Sequence, residues 1–170
     1  GWRSISNQRL SPDGKFLAYG VFPQEGDGEV VVRNLATGTE MREPAGARPA
    51  PAPPDPSAAP EDGPPGARVV TMAFSADSRI LAVACPDDTI RLWDTSTGKL
   101  LGACIGHKQG VRSIAFAPDG KTLATSSDDS TVKFWNVASQ QELLNYRQLG
   151  ATLSGLMFSP DGRMLVGGSG

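Results

Sequence analysis

The stretch SPDGKFLAYG (11–20) decides the fold of this chain, because altered copies of it return at regular intervals. The copies are SADSRILAVA (75–84), APDGKTLATS (117–126) and SPDGRMLVGG (159–168). The last three copies start 42 residues apart, and the first interval is 64 residues because it contains a proline-rich stretch. A period in the low forties built from short β runs is typical of stacked repeat architectures.

The third copy shows best what one repeat predicts. Strand-forming runs occupy residues 111–116, 122–127, 131–137 and 142–146, with β-branched or aromatic residues in each of the longer ones. Between the first two runs lies APDG (117–120), a tight-turn sequence in which Pro, Asp and Gly each favour the turn backbone. Four short antiparallel strands per repeat form the blade of a β-propeller. The sequence therefore predicts an all-β fold of about three and a half blades, as an open fragment and not a closed ring.

The repeat also predicts the domain organisation. One stretch outside it holds nine of the chain's 14 prolines and lacks any Ile, Leu, Val or aromatic residue, so it cannot bury enough apolar surface to offset the entropy of ordering. We expect a disordered or extended loop there; the alternative is a Pro-rich ligand for a groove-type partner. The predicted segments are blade 1 (1–41), the Pro/Ala/Gly-rich insert (42–67), blade 2 (68–105), blade 3 (106–149) and half of blade 4 (150–170).

Composition excludes several classes of protein. The net charge of −2 argues against a nucleic-acid surface built on bulk positive charge. No run of apolar residues is long enough for a transmembrane helix. Cys85 and Cys104 stand apart from any His or Cys cluster, which favours two small core residues over a disulfide or metal site. Since the chain begins with Gly1 and not Met, we expect an internal fragment of a longer protein or a processed product. The compartment stays open, with the cytoplasm favoured.

The chain resembles the WD-repeat (tryptophan–aspartate repeat) family of β-propellers. The resemblance rests on Gly106-His107 before the first strand of the third copy, the PDG turns, and Trp135-Asn136 or Trp93-Asp94 closing the third strands. It implies a structural hydrogen-bond network inside one blade. Carried onto the third copy, that network consists of His107, Thr125, Asp129 and Trp135.

The chemistry of this set is intelligible from the residues themselves. A turn aspartate can fix the tautomer of His107, and the second ring nitrogen can meet a strand hydroxyl that in turn meets the indole N–H. The competing interpretation is a catalytic His-Asp pair with a Thr nucleophile. The repeat accounts for all four positions, and His107 is the only histidine, so we expect no enzyme, no metal and no cofactor.

The other copies depart from this pattern. The second keeps Asp87 and Trp93 six residues apart but has Val83 in place of the hydroxyl, which predicts a partial network. The first has Arg33 where the tryptophan should be, so blade 1 could belong to a related propeller class such as those attached to peptidases.

The predicted function is a non-catalytic scaffold for protein–protein interaction, with other proteins and the remaining blades of a parent propeller as partners. The Pro-rich insert and the regular SPDGK turns look like bacterial multidomain members of the family. The alternative is a regulatory or substrate-gating propeller attached to a kinase or peptidase domain. Loops on a rigid frame concentrate binding residues, and the long turn of blade 1 supplies the candidate partner face: Gln24, Glu25, Asp27 and Glu29.

Overall fold

A computed structural model describes residues 4–22, 28–44, 71–147 and 153–169. These residues form fourteen β-strands and no helix. The strands, numbered in chain order, are β1 (Ser4–Leu10), β2 (Phe16–Phe22), β3 (Glu29–Asn34), β4 (Glu40–Pro44), β5 (Met72–Phe74), β6 (Ile80–Ala84), β7 (Ile90–Asp94), β8 (Leu100–Cys104), β9 (Val111–Phe116), β10 (Thr122–Ser127), β11 (Thr131–Asn136), β12 (Glu142–Arg147), β13 (Leu153–Phe158) and β14 (Leu165–Ser169).

The strands form three four-stranded antiparallel sheets and one two-stranded sheet. Within each sheet the strands pair in chain order: β1 to β4, β5 to β8, β9 to β12, and β13 with β14. The first strands of successive sheets contact one another, β1 with β5, β5 with β9 and β9 with β13. The sheets are thus stacked blades whose first strands lie on the inside. The predicted fold class, all-β blades in an open array, is confirmed.

The PDG turns fix the first hairpin of each blade through one repeated backbone conformation. Gly14, Gly120 and Gly162 occupy the left-handed region, with φ between 67° and 72°. Ser78 takes the same place in blade 2 with φ of 62°, a conformation that costs a side-chain-bearing residue about 1 kcal/mol. The Ser78 hydroxyl also accepts a hydrogen bond from the backbone N–H of Asp13 at 3.1 Å, which ties the turns of blades 1 and 2 together.

The hydrophobic core lies between the blades. Alternating strand residues place one apolar set on each sheet face, and each face packs against the next sheet. Ala18, Val32 and Leu81 belong to the cluster between blades 1 and 2. Leu92 and Trp135 belong to the cluster between blades 2 and 3. A third cluster joins blades 3 and 4. Each blade is therefore stabilised by its neighbours and not by a core of its own.

Three boundaries differ from the sequence-based expectation. The structure places residues 42–44 in β4, so blade 1 runs to Pro44 and the insert begins after it, not at residue 42. A proline at the end of an outer strand costs no ladder hydrogen bond on the free edge. β11 ends at Asn136 and β12 at Arg147, each one residue away from the ends of the predicted runs 131–137 and 142–146. The rest of the predicted insert lies outside the described residues.

Candidate functional site

The four residues of the predicted network come together in blade 3. His107 lies on the connection between β8 and β9, and its side chain is fully buried. Its Nδ1 lies 2.9 Å from Oδ2 of Asp129, in the turn between β10 and β11. Its Nε2 lies 2.7 Å from Oγ1 of Thr125, on β10. Trp135, on β11, donates its indole N–H to the same hydroxyl oxygen at 2.8 Å. Side-chain hydrogen bonds thus join the connection before β9 to the β10–β11 hairpin.

The direction of these hydrogen bonds follows from the groups themselves. The indole of Trp135 can only donate, so Thr125 accepts from it and gives its own proton to Nε2 of His107. Burial lowers the pKa of His107 and outweighs the opposing influence of Asp129. The neutral ring with its proton on Nδ1 donates to the carboxylate. Every polar atom in the series is satisfied, and the series runs from tryptophan through threonine and histidine to aspartate.

Asp129 is the acceptor at the end of this series. Its Oδ2 also receives the backbone N–H of Lys108 at 3.0 Å, and its Oδ1 receives the hydroxyl of Thr131 at 2.6 Å. Burial by itself would raise the pKa of Asp129. The hydrogen bonds from Thr131, from the Lys108 backbone and from His107 outweigh that effect and hold the pKa at about 2. The carboxylate therefore stays charged and anchors both the connection before β9 and the start of β11.

The geometry opposes a catalytic role for these residues. A nucleophile and its base need access to a substrate atom. The Thr125 side chain is 0 % exposed, and its oxygen is occupied by the indole N–H and the imidazole. Since His107 is sealed in as well, no substrate carbonyl can reach the pair without disrupting the blade. The arrangement favours structural support.

A buried lysine, which the sequence reasoning missed, lies beside the network. Lys133 on β11 is 5 % exposed, and its ammonium lies 2.5 Å from Oε2 of Glu142 on β12. The ammonium also lies 5.9 Å from the centroid of the Trp135 ring, within reach of a cation–π interaction. The signal was present in the sequence. Strand alternation places residues 131, 133 and 135 on one face, and the second copy has Arg91 at the equivalent position.

In blade 2, the two residues of the predicted partial network are not joined. Asp87 accepts from the Thr89 hydroxyl at 2.6 Å and pairs with Arg91 at 2.9 Å. Trp93 packs against the cluster between blades 1 and 2, and within the described residues no hydrogen bond connects it to Asp87. Val83, fully buried where blade 3 has Thr125, offers no hydroxyl to bridge them. Among the described residues, Asp87 therefore supports its own turn and the start of β7.

Most of the candidate partner face lies outside the described residues. Gln24, Glu25 and Asp27 belong to that undescribed part. Glu29 begins β3 and forms an ion pair with Arg42 of β4 at 3.1 Å. The role of these four residues in partner binding stays a prediction.

A depression on the rim of blade 3 is a second feature that the sequence did not reveal. It has a volume of about 530 Å³ and lies where the connection before β9 passes the outer half of the β11–β12 face. Its lining residues are Gly106, Lys108, Asp129, Thr131, Lys133, Asn145 and Arg147.

No metal-binding or membrane-spanning feature is found in the described part of the chain. Within residues 4–22, 28–44, 71–147 and 153–169, no group of three or more His, Cys, Asp or Glu side chains is placed to hold a metal ion. None of the described segments forms a helix that could cross a membrane. Cys85 and Cys104 are buried free thiols, and burial raises their pKa values to about 11 and about 12.

Comparison with known proteins agrees with the repeat pattern. Residues 62–94 and 98–136 match the family model described as WD domain, G-beta repeat. No curated protein sequence matches the chain.

Two solved structures share the fold at low sequence identity. One is described as the crystal structure of RRP9 WD40 repeats (21 % identity, TM-score 0.69), and the match covers 92 % of this chain and 42 % of that one. The other is described as the structure of U3-55K, with the same identity and TM-score, and covers 92 % and 43 %. The chain thus spans less than half the length of either structure. Together with the family match, these likenesses show WD repeats in a β-propeller-like fold.

Proposed function

We propose that this chain is a non-catalytic scaffold for protein–protein interaction and forms part of a larger WD-repeat propeller. WD repeats are generally interaction scaffolds, and two blades of this chain match that family. The observation that carries the proposal is the sealed network of blade 3. Its histidine, threonine and aspartate have the chemistry of a catalytic set, yet every one of their hydrogen-bonding atoms is committed to holding the blade together.

The apolar residues at the far end of the stack support the idea of a larger propeller. Met157 and Val166 of the two-stranded sheet, and Met164 just before its second strand, are each more than 60 % exposed. In the preceding blades, the corresponding faces are covered by the next sheet. Further blades would cover these side chains in the same way, and the 42 % and 43 % coverage of the solved structures leaves room for them.

We further propose that the propeller belongs to a multidomain protein of bacterial type. Its role as a scaffold has one alternative. In that alternative the propeller regulates or gates an enzyme domain, a kinase or a peptidase, elsewhere in the same protein. The two versions differ in what the propeller touches. A gating propeller contacts its own enzyme domain, whereas a scaffold contacts separate proteins. Cross-linking of the complete protein followed by mass spectrometry separates intramolecular from intermolecular contacts.

The candidate partner face gives the sharpest test of the scaffold. Substituting lysine for Gln24, Glu25 and Asp27 reverses two charges and adds a third. It should weaken the binding of a partner that has been identified by cross-linking and purified, measured as a binary affinity by calorimetry. The matched control is Lys121→Glu, an exposed charge reversal next to the PDG turn of blade 3. Equal affinity for the triple variant and the control would remove the face from the proposal. A reproducible hydrolytic activity lost in a folded Thr125→Val variant would overturn the non-catalytic function itself.

A further inference from the structure

An apolar cleft opens on the outer rim of the stack, between blades 1 and 2. It is bounded by β3 and β4 of blade 1 and by β6, β7 and the β7–β8 turn of blade 2. Val30, Val32 and Leu81 are buried inside it, whereas Met41 and Trp93 are partly exposed at its mouth. Its free volume of about 20 Å³ is on the scale of one or two methyl groups. Complete four-stranded sheets lie on both sides of this rim cleft, so no further blade of the stack would cover it.

The indole N–H of Trp93 has no acceptor. The equivalent tryptophan of blade 3, Trp135, is 1 % exposed and donates to Thr125. Trp93 has Val83 in place of that threonine, and its N–H makes no hydrogen bond with any described residue. A buried indole N–H usually has a hydrogen-bond partner, and tryptophan is enriched at binding hot spots. A ligand that covers Trp93 must therefore supply an acceptor of its own.

The turn beside the rim cleft lacks the side chain that its counterpart in blade 3 carries. Gly98 and Gln140 are 42 residues apart, and both have a left-handed backbone, with φ of 69° and 57°. A Cβ added to Gly102 of β8 would lie 2.7 Å from Oε1 of Gln140, so this glutamine covers the outer strand of the preceding blade. A Cβ added to Gly98 would instead lie 2.6 Å from Sδ of Met41. The glutamine thus covers the rim between blades 2 and 3, and no side chain of the blade 2 turn does so between blades 1 and 2.

A free and uncharged strand edge adjoins the rim cleft. β8 is the terminal strand of its sheet, and its sequence LLGAC has no charge or proline to prevent contact with another chain. Leu100 lies opposite Trp93 and Leu101 follows it, and both are 45 % exposed. An extended segment can offer main-chain carbonyls to a donor, whereas most carbonyls of a helix are already paired within it. The surface therefore favours an extended apolar segment over a helix.

We infer that the rim cleft binds an extended segment of a partner protein. The segment places one aliphatic side chain between Met41 and Trp93, and one of its main-chain carbonyls accepts a hydrogen bond from the indole N–H. Its neighbouring residues lie on Leu100 and Leu101. The free volume suits the tip of a leucine or valine and is too small for an aromatic ring. The inference rests on the proposed scaffold function and names the partner chemistry of one surface.

The Pro/Ala/Gly-rich insert does not have the composition of this segment. Residues 42–67 contain no Ile, Leu or Val, so they lack the aliphatic tip that the rim cleft fits. The insert follows β4, whose last residue is Pro44, whereas the β7–β8 turn lies at the opposite end of the blades. A separate protein is therefore the occupant that the surface favours.

The test uses the intact chain, isotope-labelled, and follows its indole N–H signals by nuclear magnetic resonance. The probe is a capped heptapeptide of alternating serine and leucine. The Trp93 signal, assigned by its loss in Trp93→Phe, should shift downfield as its proton gains an acceptor. The Trp135 signal is the internal control and should stay in place, because that indole is buried and already bonded to Thr125. A peptide with alanine in place of leucine should shift neither signal.

Variants of equivalent glycines test the position of the site. Gly98→Gln copies the residue that blade 3 has in the same turn, and it should weaken binding of the leucine peptide, measured from amide shifts in β8, by roughly tenfold or more because the aliphatic tip loses its pocket. The matched control is Gly38→Gln in the corresponding turn of blade 1, where φ is 73° and the added side chain meets open space. It should bind as the unchanged chain does. Trp93→Phe should weaken binding roughly fivefold, since one hydrogen bond is lost.

Several outcomes would overturn the inference. A Trp93 signal that stays in place up to the solubility limit of the leucine peptide removes the site, and so does equal affinity of folded Gly98→Gln and Gly38→Gln. A signal that shifts with protein concentration alone identifies a second copy as the occupant. A signal that shifts when a Gly/Ser linker replaces residues 45–66 identifies the insert. None of these failures touches the scaffold function, because the lysine substitutions in the blade 1 turn test that function on a separate surface.

Discussion

Thr125→Val is the sharpest perturbation of the blade 3 network, because it removes a hydroxyl and almost no volume. Thr125 is fully buried, and its oxygen is the shared contact of Trp135 and His107. The substitution leaves the indole N–H and the imidazole Nε2 buried without partners. At about 1–3 kcal/mol for each unsatisfied group, with some relaxation, we expect the free energy of unfolding to fall by about 2–4 kcal/mol.

Chemical denaturation followed by circular dichroism measures the global effect, and amide hydrogen exchange in β9 and β11 locates it. The matched control is Thr122→Val on the same strand, whose hydroxyl makes no hydrogen bond within the described residues; it should change stability by less than about 0.5 kcal/mol. The reverse change in blade 2, Val83→Thr, should also destabilise, because it buries a hydroxyl where no histidine is available. Unchanged stability and unchanged exchange protection in Thr125→Val would refute the network as a source of stability.

Three further outcomes are expected. The lowered pKa of His107 favours the neutral ring in the folded state, so the free energy of unfolding should be highest above pH 6.5 and decrease as the pH falls below that value. Asp129, with its pKa at about 2 instead of 3.8, should cause a further decrease between about pH 4 and pH 2. Midpoints of urea unfolding measured as a function of pH test both decreases. Glu142→Gln should destabilise on the order of 1 kcal/mol because it leaves buried Lys133 unpaired, whereas Lys133→Met should be nearly neutral in the same denaturation assay. Replacing residues 45–66 by a short Gly/Ser linker should keep the β-sheet circular dichroism signal, since loop-closure entropy changes slowly with length; loss of the signal would show that this stretch packs.

Local chemistry in the sequence was enough to predict the blades. A strand residue alternates faces whatever its neighbours do, and a turn of Pro, Asp and Gly favours the same bend in each copy. For that reason the strands at 111–116 and 122–127 appear at the predicted bounds. The repeat period also places Thr125 and Asp129 on adjoining positions of one hairpin, so their proximity in space follows from spacing alone.

Only the tertiary structure decided which of these positions interact. Asp87 and Trp93 keep the spacing of their blade 3 counterparts, yet no hydrogen bond joins them, because the bridging position is Val83. Lys133 reads as a surface residue in its strand, but the connection before β9 covers it and Glu142 neutralises it. The burial of a side chain and the identity of its hydrogen-bond partner depend on how separate segments pack. The sequence of a single strand does not determine which other segments contact it. For that reason the repeat was enough to predict the strands and turns. The buried network and the charged depression of blade 3 depend on how the connection before β9, the β10–β11 turn and β12 pack together.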